Sequence, residues 1–444
     1  MSRIDRREFL KLMSAAAAAG TVPWLSSCSN EAAAAALPKD FYTIPKRGNV
    51  RILHCTDFHG QLNPVFFREP NVNLGMGDAF GRPPHMVGKQ FLKEMGLKEN
   101  TPEAHAYTYL NFNKAAKQFG RMGGMAHMKT LADSLREQMG GRENTLMLDG
   151  GDLWQGSGTS LWTRGIDMVE ASNILGIDVM VGHWEFTYKE NEVLSNVALF
   201  KGDFIGQNVR VKEDSLMDDG YAKLVETYDG RGLYDEDTGH AFQPYVIREV
   251  GGARICVVGQ AFPRTANANP QEFFPDWSFG LREDDMIELV EAIREDEKPD
   301  AIVLLSHNGM DVDVKMAERV PGLNAVFGGH THDGVPKPLK VKNVEGHECL
   351  VTNAGSNGKF LGVMDFDIDG GKIKSMNYEM LPIFSEALPA DKELQAYIDQ
   401  MRNTKYDKNI VESRVKKMHY NKSRLGKTYK EILDEKLAIA DRTL

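Results

Sequence analysis

Asp or His follows a short apolar run at five places in this 444-residue chain. Val50 to Cys55 runs into Asp57-Phe58-His59, and Thr145 to Leu148 into Asp149-Gly150-Gly151-Asp152. Ile177 to Val181 leads to Gly182-His183-Trp184-Glu185, Ala301 to Leu305 to Ser306-His307-Asn308, and Asn324 to Phe327 to Gly328-Gly329-His330-Thr331-His332. Alternate residues of an extended segment share a face, so Asp57/His59 and His330/His332 can each bite one cluster. Two Asp and five His without a thiolate suit borderline to hard divalent ions such as manganese, iron or zinc. Seven ligands exceed what one ion takes, and they suit two ions bridged by a carboxylate and a hydroxide. Such a pair acidifies water into a nucleophile and steadies both the attacking and the leaving group of a displacement. The residues therefore point to hydrolysis at a phosphate-like or sulfonate-like centre. His54, His85, His105, His127, His240, His347 and His419 lack this pattern and read as hydrogen-bonded core or surface residues.

The apolar runs read as strands. Periodic segments between them, such as Lys114 to Gln138, Asp167 to Leu175 and Asp284 to Glu295, read as helices. That alternation predicts a layered α/β fold, in which ligands gather beyond the carboxyl ends of strands. Glycines beside several candidate ligands let the backbone approach a compact site. Cys55, Cys256 and Cys349 lie in strand-like runs without CxxC spacing, which predicts buried free thiols.

Apolar residues at 42% and charged residues at 26% exclude a disordered chain, a collagen-like repeat and a polytopic membrane protein. The net charge of −10 argues against a nonspecific nucleic-acid binder. From Met401 onward the sign reverses, with twelve basic against six acidic residues, in the manner of a solvated amphipathic helix. At the other end, Arg6-Arg7 followed by Phe9-Leu10-Lys11 and an Ala-rich run has the form of a twin-arginine export signal over residues 1–36. It predicts a periplasmic protein exported folded, with its cofactor bound. Leu25-Ser26-Ser27-Cys28 also resembles a lipoprotein cleavage box, and cleavage within Glu31 to Leu37 is the alternative. Membrane attachment is expected only with a lipid on Cys28.

Asp57-x-His59, Gly151-Asp152, Gly182-His183-x-Glu185, His307 and Gly329-His330-x-His332 resemble the calcineurin-like metallophosphoesterase pattern in its periplasmic nucleotidase form. Within that superfamily the chain is most similar to the SoxB-type thiosulfohydrolases of sulfur oxidation. The similarity runs from about Asn49 onward and is carried by QLNPVFFREPNVN from Gln61, GRPPH from Gly81, LWTRG from Leu161, GHWEFTY from Gly182, SHNGMDVD from Ser306 and TNAGSNGKFL from Thr352. The resemblance implies a four-layer α/β/β/α sandwich over residues 37–389 holding two manganese ions, with zinc or iron as alternatives. It implies Asp57, His59, Asp152 and His332 on one ion, and Asp152, His183, His307 and His330 on the other, with Asp152 bridging. The implied substrate is a cysteine S-thiosulfonate on the SoxYZ carrier protein, from which sulfate is released.

One motif departs from the nucleotidases. They carry Gly-Asn-His-Glu-x-Asp, in which Asn binds metal and His and Asp form an acid–base dyad. Here His183 takes the Asn position, Trp184 the His position and Thr187 the Asp position. Losing a general acid costs a phosphoesterase about 10²–10⁴-fold. A sulfur leaving group, with a thiol pKa near ~8.5, needs that help far less. Asp152, His183 and Trp184 are therefore the expected catalytic residues. Arg68, Arg164 and Asn308 are candidate substrate contacts, and Asn208 and Asn308 candidate orienting residues. The turn-rich stretch Gln61 to Asn113, with Phe66, Phe67, Tyr107 and Tyr109, is expected to cover the site or meet the carrier.

The resemblance also implies a second, C-terminal domain. Residues 390–444 read as a helical linker toward it, so the sequence is expected to be a fragment or a form without that domain. Three functions follow: a carrier-dependent thiosulfohydrolase, a periplasmic nucleotidase or phosphodiesterase, and a non-catalytic metal-binding module that docks the carrier.

Overall fold

The structure is a computed structural model describing residues 37–72, 75, 77–216, 219–228, 233–235, 237–406 and 422–437. The export signal, Cys28, His419 and the segment after Leu437 lie outside the described residues. The strands among them, in chain order, are β1 (Val50–Cys55), β2 (Thr145–Asp149), β3 (Val179–Met180), β4 (Asp203–Phe204), β5 (Val209–Val211), β6 (Leu233–Asp235), β7 (His240–Phe242) and β8 (Tyr245–Val250). There follow β9 (Ala253–Gln260), β10 (Trp277–Phe279), β11 (Ala301–Ser306), β12 (Ala325–Gly328), β13 (Leu339–Lys342), β14 (Glu348–Asn353), β15 (Phe360–Asp369) and β16 (Lys372–Pro382).

Two sheets carry the architecture. The first runs β16-β15-β1-β2-β3-β4 and the second β13-β14-β12-β11-β9-β8, while β10-β5-β7-β6 form a small third sheet. β1 to β4 are parallel, as are β9, β11, β12 and β14, so both sets of carboxyl ends gather at one rim. Alternation along each strand divides the side chains between two layers. Val50, Ile52, Leu146 and Leu148 meet Ile255, Val257, Val303 and Leu305 between the sheets. Leu53, Cys55 and Met147 face the helices Met125–Met139 and Ile166–Leu175. Cys256, Val258, Ile302 and Leu304 face Glu283–Ala292 and Met310–Arg319. The result is the expected four-layer α/β/β/α sandwich. Each fully buried Leu, Ile or Val adds about 1.5–3 kcal/mol to it. Arg51 breaks the apolar pattern of β1, and Asp365 on β15 compensates it through two bonds of 2.6 and 2.8 Å.

The three described cysteines are buried free thiols, as expected. The segment Lys114 to Gln138 corrects the reading as one helix. Phe112–Phe119 and Met125–Met139 are separate helices, parted where Gly120, Gly123 and Gly124 take φ of 80°, 75° and 93°. Met122 between them bridges to Val65 and Phe384 instead. Gln61 to Asn113 is likewise more regular than its turn residues imply. It forms the helices Gly88–Met95 and Pro102–Tyr107, whose Phe91, Leu92 and Tyr107 pack on Phe360 and Phe384. Lys359 anchors this insertion: its buried ammonium pairs with Glu69 and sits 4.4 and 4.8 Å from the ring centroids of Phe67 and Phe360. At the other end of the chain, the helix Lys392–Arg402 docks on the body through Tyr397 to the Asp167 carbonyl, and Trp162 packs against Tyr406 and Tyr429. Among the described residues no helix is long and apolar enough to cross a membrane.

Candidate metal centre

All seven expected ligands stand at one rim, just beyond β1, β2, β3, β11 and β12. They fall into two groups, Asp152/His183/His307/His330 and Asp57/His59/His332, and within each the ligand atoms lie within 4.8 Å of one another. Asp152 Oδ2 is 3.1 Å from His183 Nδ1, 3.1 Å from His307 Nε2 and 3.7 Å from His59 Nε2, so one oxygen faces both groups. Its other oxygen accepts the Trp184 N–H at 2.7 Å. Asp57 Oδ1 lies 3.3 Å from His332 Nε2 and 3.8 Å from His307 Nε2.

The backbone is forced to reach this arrangement. Asp57, His59, Asp152, His330 and His332 all have φ between 51° and 75°, the left-handed region that side-chain-bearing residues avoid. Strain at five of seven candidate ligands marks a site whose geometry the surrounding fold imposes. Gly151 and Gly329 show how close the approach is. A Cβ on either would lie 2.8 or 3.0 Å from His307 Nδ1.

A buried carboxylate that sequence reading quoted without a role organises the loops. Glu185 accepts the N–H groups of Leu153 (2.7 Å), His183 (2.8 Å), Trp154 (3.0 Å) and Asp152 (3.3 Å), tying the loop after β2 to the loop after β3. Thr56 Oγ1 donates to Asp57 at 2.6 Å, and His307 Nδ1 pairs with the Gly150 carbonyl. Asp313 accepts from Ser306 Oγ and Asn308 Nδ2, holding the turn after β11. Phe262, which no sequence signal marked, packs its ring 4.2 Å from those of both His183 and His330.

Burial alone would raise the Asp152 carboxyl, but His307 and His183 outweigh it and hold the group well below the usual range. Asp57 follows the same logic: burial raises it, and His307 and His332 bring it below normal. Burial pulls His307 down, yet Asp152 and Asp57 lift it to about 10. His330, buried and beside His307 and His183, falls to about 4. His59 Nε2 and His332 Nε2 are 3.0 Å apart, and His183 Nδ1 and His307 Nε2 are 3.2 Å apart. Nitrogen pairs that close suit a shared cation, and two carboxylates with five imidazoles fit two divalent ions.

Trp184 is half-buried with its ring 4.7 Å from His183. Thr187 Oγ1 donates to the Trp184 carbonyl at 2.7 Å. Asn308 is buried on the turn beside His307. Arg68 is exposed, between two residues that line a pocket. Arg164 is buried, donating to the Tyr188 carbonyl at 2.7 Å and lying over the Tyr188 ring. Asn208 grips Ala261 from both its N–H and its carbonyl. The pocket, of about 400 Å³, runs from His332 and Asp333 along Phe67, Tyr107 and Phe360 of the insertion and its anchor. His85, read as an ordinary surface or core residue, pairs with Asp311 at 2.8 Å on its wall.

No protein-family model matches the chain. Among curated proteins, UshA of Escherichia coli is 25% identical over 321 residues, 65% of this chain and 54% of that protein. The 5'-nucleotidase of Rattus norvegicus is 25% identical over 326 residues, 69% of this chain and 50% of its own length. The chain spans about half the length of the curated relatives it matches. Among solved structures, the sulfate thiohydrolase SoxB of Thermus thermophilus superposes with a TM-score of 0.71 at 32% identity, over 81% of this chain and 61% of that one. A 5'-nucleotidase precursor, also from Thermus thermophilus, shares the fold, with a TM-score of 0.57 at 21% identity over 79% of this chain and 58% of that one. The chain is thus similar in sequence to 5'-nucleotidases and in fold to the SoxB structure, and its donor set makes a site able to hold metal.

Proposed function

We propose that this metallophosphoesterase-like chain is the metal-bearing part of a periplasmic thiosulfohydrolase, which releases sulfate from a cysteine S-thiosulfonate on a SoxYZ-type carrier protein. In that reaction a water oxygen bonds to the terminal sulfone sulfur and the sulfur–sulfur bond breaks. The electron pair stays on the sulfur left on the carrier. Asp57, His59, Asp152 and His332 would hold one ion, and Asp152, His183, His307 and His330 the other, with manganese first among the metals proposed. Bound there, two divalent ions would lower the pKa of water and neutralise charge on the sulfonate oxygens.

The reading is carried by what occupies positions 184 and 187. The Trp184 amide is committed to Asp152, its ring packs on His183, and the Thr187 hydroxyl is turned back to the Trp184 carbonyl. Neither side chain offers a proton that titrates near neutral pH. A sugar alkoxide leaving group needs one, and a thiolate-like sulfur leaves without it. The likeness to the SoxB structure supports the same choice.

The curated relatives support a second reading, a periplasmic nucleotidase. The natural full-length protein, loaded with manganese, is to be assayed for sulfate release from thiosulfonate-charged carrier and for phosphate release from 5'-nucleotides. Sulfate without phosphate is the expected result, and efficient phosphate release without sulfate overturns the proposal in favour of the nucleotidase. Two bound ions with neither product would leave the docking-module reading standing instead.

A further inference from the structure

A metal-binding imidazole is ordinarily aimed by a hydrogen bond from its second nitrogen to a carbonyl or carboxylate. His307 follows that rule through Nδ1 and the Gly150 carbonyl. His183 does not. Its Nδ1 faces Asp152 and His307, and its Nε2 is buried with no hydrogen-bond partner among the described residues. His330 makes ring contacts instead, 5.1 Å from His183 and 5.2 Å from His307 between centroids.

Both imidazoles lean on one ring. The Phe262 centroid is 4.2 Å from that of His183 and 4.2 Å from that of His330, with planes tilted by 49° and 31°. Phe262 is only partly buried, so it is not simply part of the apolar core. It follows β9, a parallel strand whose carboxyl end supplies none of the seven ligands. Its loop is nevertheless fixed: Ala261 N–H donates to Asn208 Oδ1 at 2.8 Å, and Asn208 Nδ2 donates to the Ala261 carbonyl at 2.8 Å. The Phe262 N–H then donates to the Gly182 carbonyl at 3.2 Å, next to His183 itself.

We propose that Phe262 is a positioning residue for the second metal group: its ring holds His183 and His330 in their ligating orientation where a hydrogen bond would otherwise do so. The inference rests on the seven residues binding two ions, and it is independent of which substrate is cleaved. Loss of the ring frees both imidazoles to rotate, which weakens one of the two ions and leaves the group Asp57/His59/His332 largely as it was. Removing an orienting partner of a ligand typically costs 10–100-fold in metal affinity.

The test uses the full chain, stripped of metal and titrated with manganese(II) chloride. Stoichiometry is read by elemental analysis, stepwise affinity by calorimetry, and coupling between the two ions by electron paramagnetic resonance. Wild type is expected to take two ions with a coupled spectrum. Phe262→Ala should keep the first affinity, lose about 10–100-fold in the second, and show the spectrum of isolated ions at limiting metal. Phe262→Tyr, which keeps the ring, should restore both steps. If Phe262→Ala fails to fold, Phe262→Leu decides, because it retains apolar volume without a ring. Wild-type affinity for both ions in the foldable variant overturns the proposal. A wild-type chain that binds fewer than two ions overturns it together with the metal-centre reading, whereas two-ion binding without sulfate release sinks only the proposed activity.

Discussion

His59 Nε2 lies 3.0 Å from His332 Nε2, although 273 positions separate the two residues in the chain. Both are partly open to solvent, with side-chain exposures of 21% and 43%, while Asp57 beside them is fully buried. Two ring nitrogens at that distance share a proton or a cation. His332→Ala should therefore remove one ion and leave the buried group intact, so that metal content falls from two per chain toward one. Unchanged content of two would show that this pair is not a ligand pair.

The carboxylates beside His307 and His332 predict the pH dependence of metal loading. Burial opposes the charge on His307, but Asp152 and Asp57 lift it to about 10, and Asp57 likewise raises His332 against the effect of burial. In the metal-free chain His307 therefore carries a proton at neutral pH, and a ligating imidazole cannot. The incoming ion must displace that proton, so affinity rises with pH up to about 10 and falls as pH drops. Each displaced proton contributes about tenfold per pH unit. Manganese titrations at pH 6, 7 and 8 should show tightening by at least that factor per step. A flat profile would contradict proton displacement.

Much of this centre is legible in the sequence, and the reason is geometric. Asp57-x-His59 and His330-x-His332 sit where strands end, and strand ends of parallel sheets converge, so the grouping of the candidate ligands follows from type and position alone. What is not legible is what holds the ligands. Phe262 carries no chemistry that pattern reading can detect, and its strand ends without a ligand. Glu185 is visible as an acid two residues from His183, but its four N–H partners come from two loops that only the fold brings together. Arg164 is legible as a basic residue in a distinctive motif, but the bond from its guanidinium to the Tyr188 carbonyl is not, because only the fold brings the two together. The break at Gly120 to Gly124 was hidden because apolar periodicity continues across it.

Glu185 gives a stability prediction. Glu185→Gln keeps the shape but replaces one acceptor oxygen by an NH2 that points at N–H donors. Charge-assisted bonds of this kind contribute about 1.5–3 kcal/mol, and a buried donor left unpaired costs about 1–3 kcal/mol. The variant should lose roughly 3 kcal/mol of stability. It should also bind metal more weakly, since Asp152 and His183 both hang from the loops that Glu185 joins. Thermal melts with and without manganese would show it. A variant with wild-type melting and wild-type metal affinity would remove Glu185 from its organising place.

The part played by the leaving group is tested by rebuilding what positions 184 and 187 lack. Trp184→His with Thr187→Asp restores an imidazole and a carboxylate where nucleotidases carry theirs. General acid help is worth about 10²–10⁴-fold, so phosphate release from a 5'-nucleotide should rise by up to that range. Sulfate release should not gain. A double variant that folds, keeps both ions and shows no phosphate release would count against the idea that leaving-group chemistry separates the two activities.

Lys359 and Glu69 fix the insertion, and with it the pocket that reaches His332. The lysine side chain is only 2% exposed, and burial pushes its ammonium well below the usual range. Its charge is tolerated because Glu69 pairs with it and the rings of Phe67 and Phe360 face it. Removing only the carboxylate leaves a buried charge uncompensated, which typically costs about 3–5 kcal/mol. Replacing both partners by apolar groups of similar volume is often neutral or stabilising. Glu69→Gln should therefore loosen the segment from Gln61 to Asn113, read as faster limited proteolysis within it at an unchanged metal content. Glu69→Leu combined with Lys359→Met should restore protection to the wild-type level. Equal protection in all three proteins would mean that apolar packing of Phe91, Leu92 and Tyr107 holds the insertion without the ion pair.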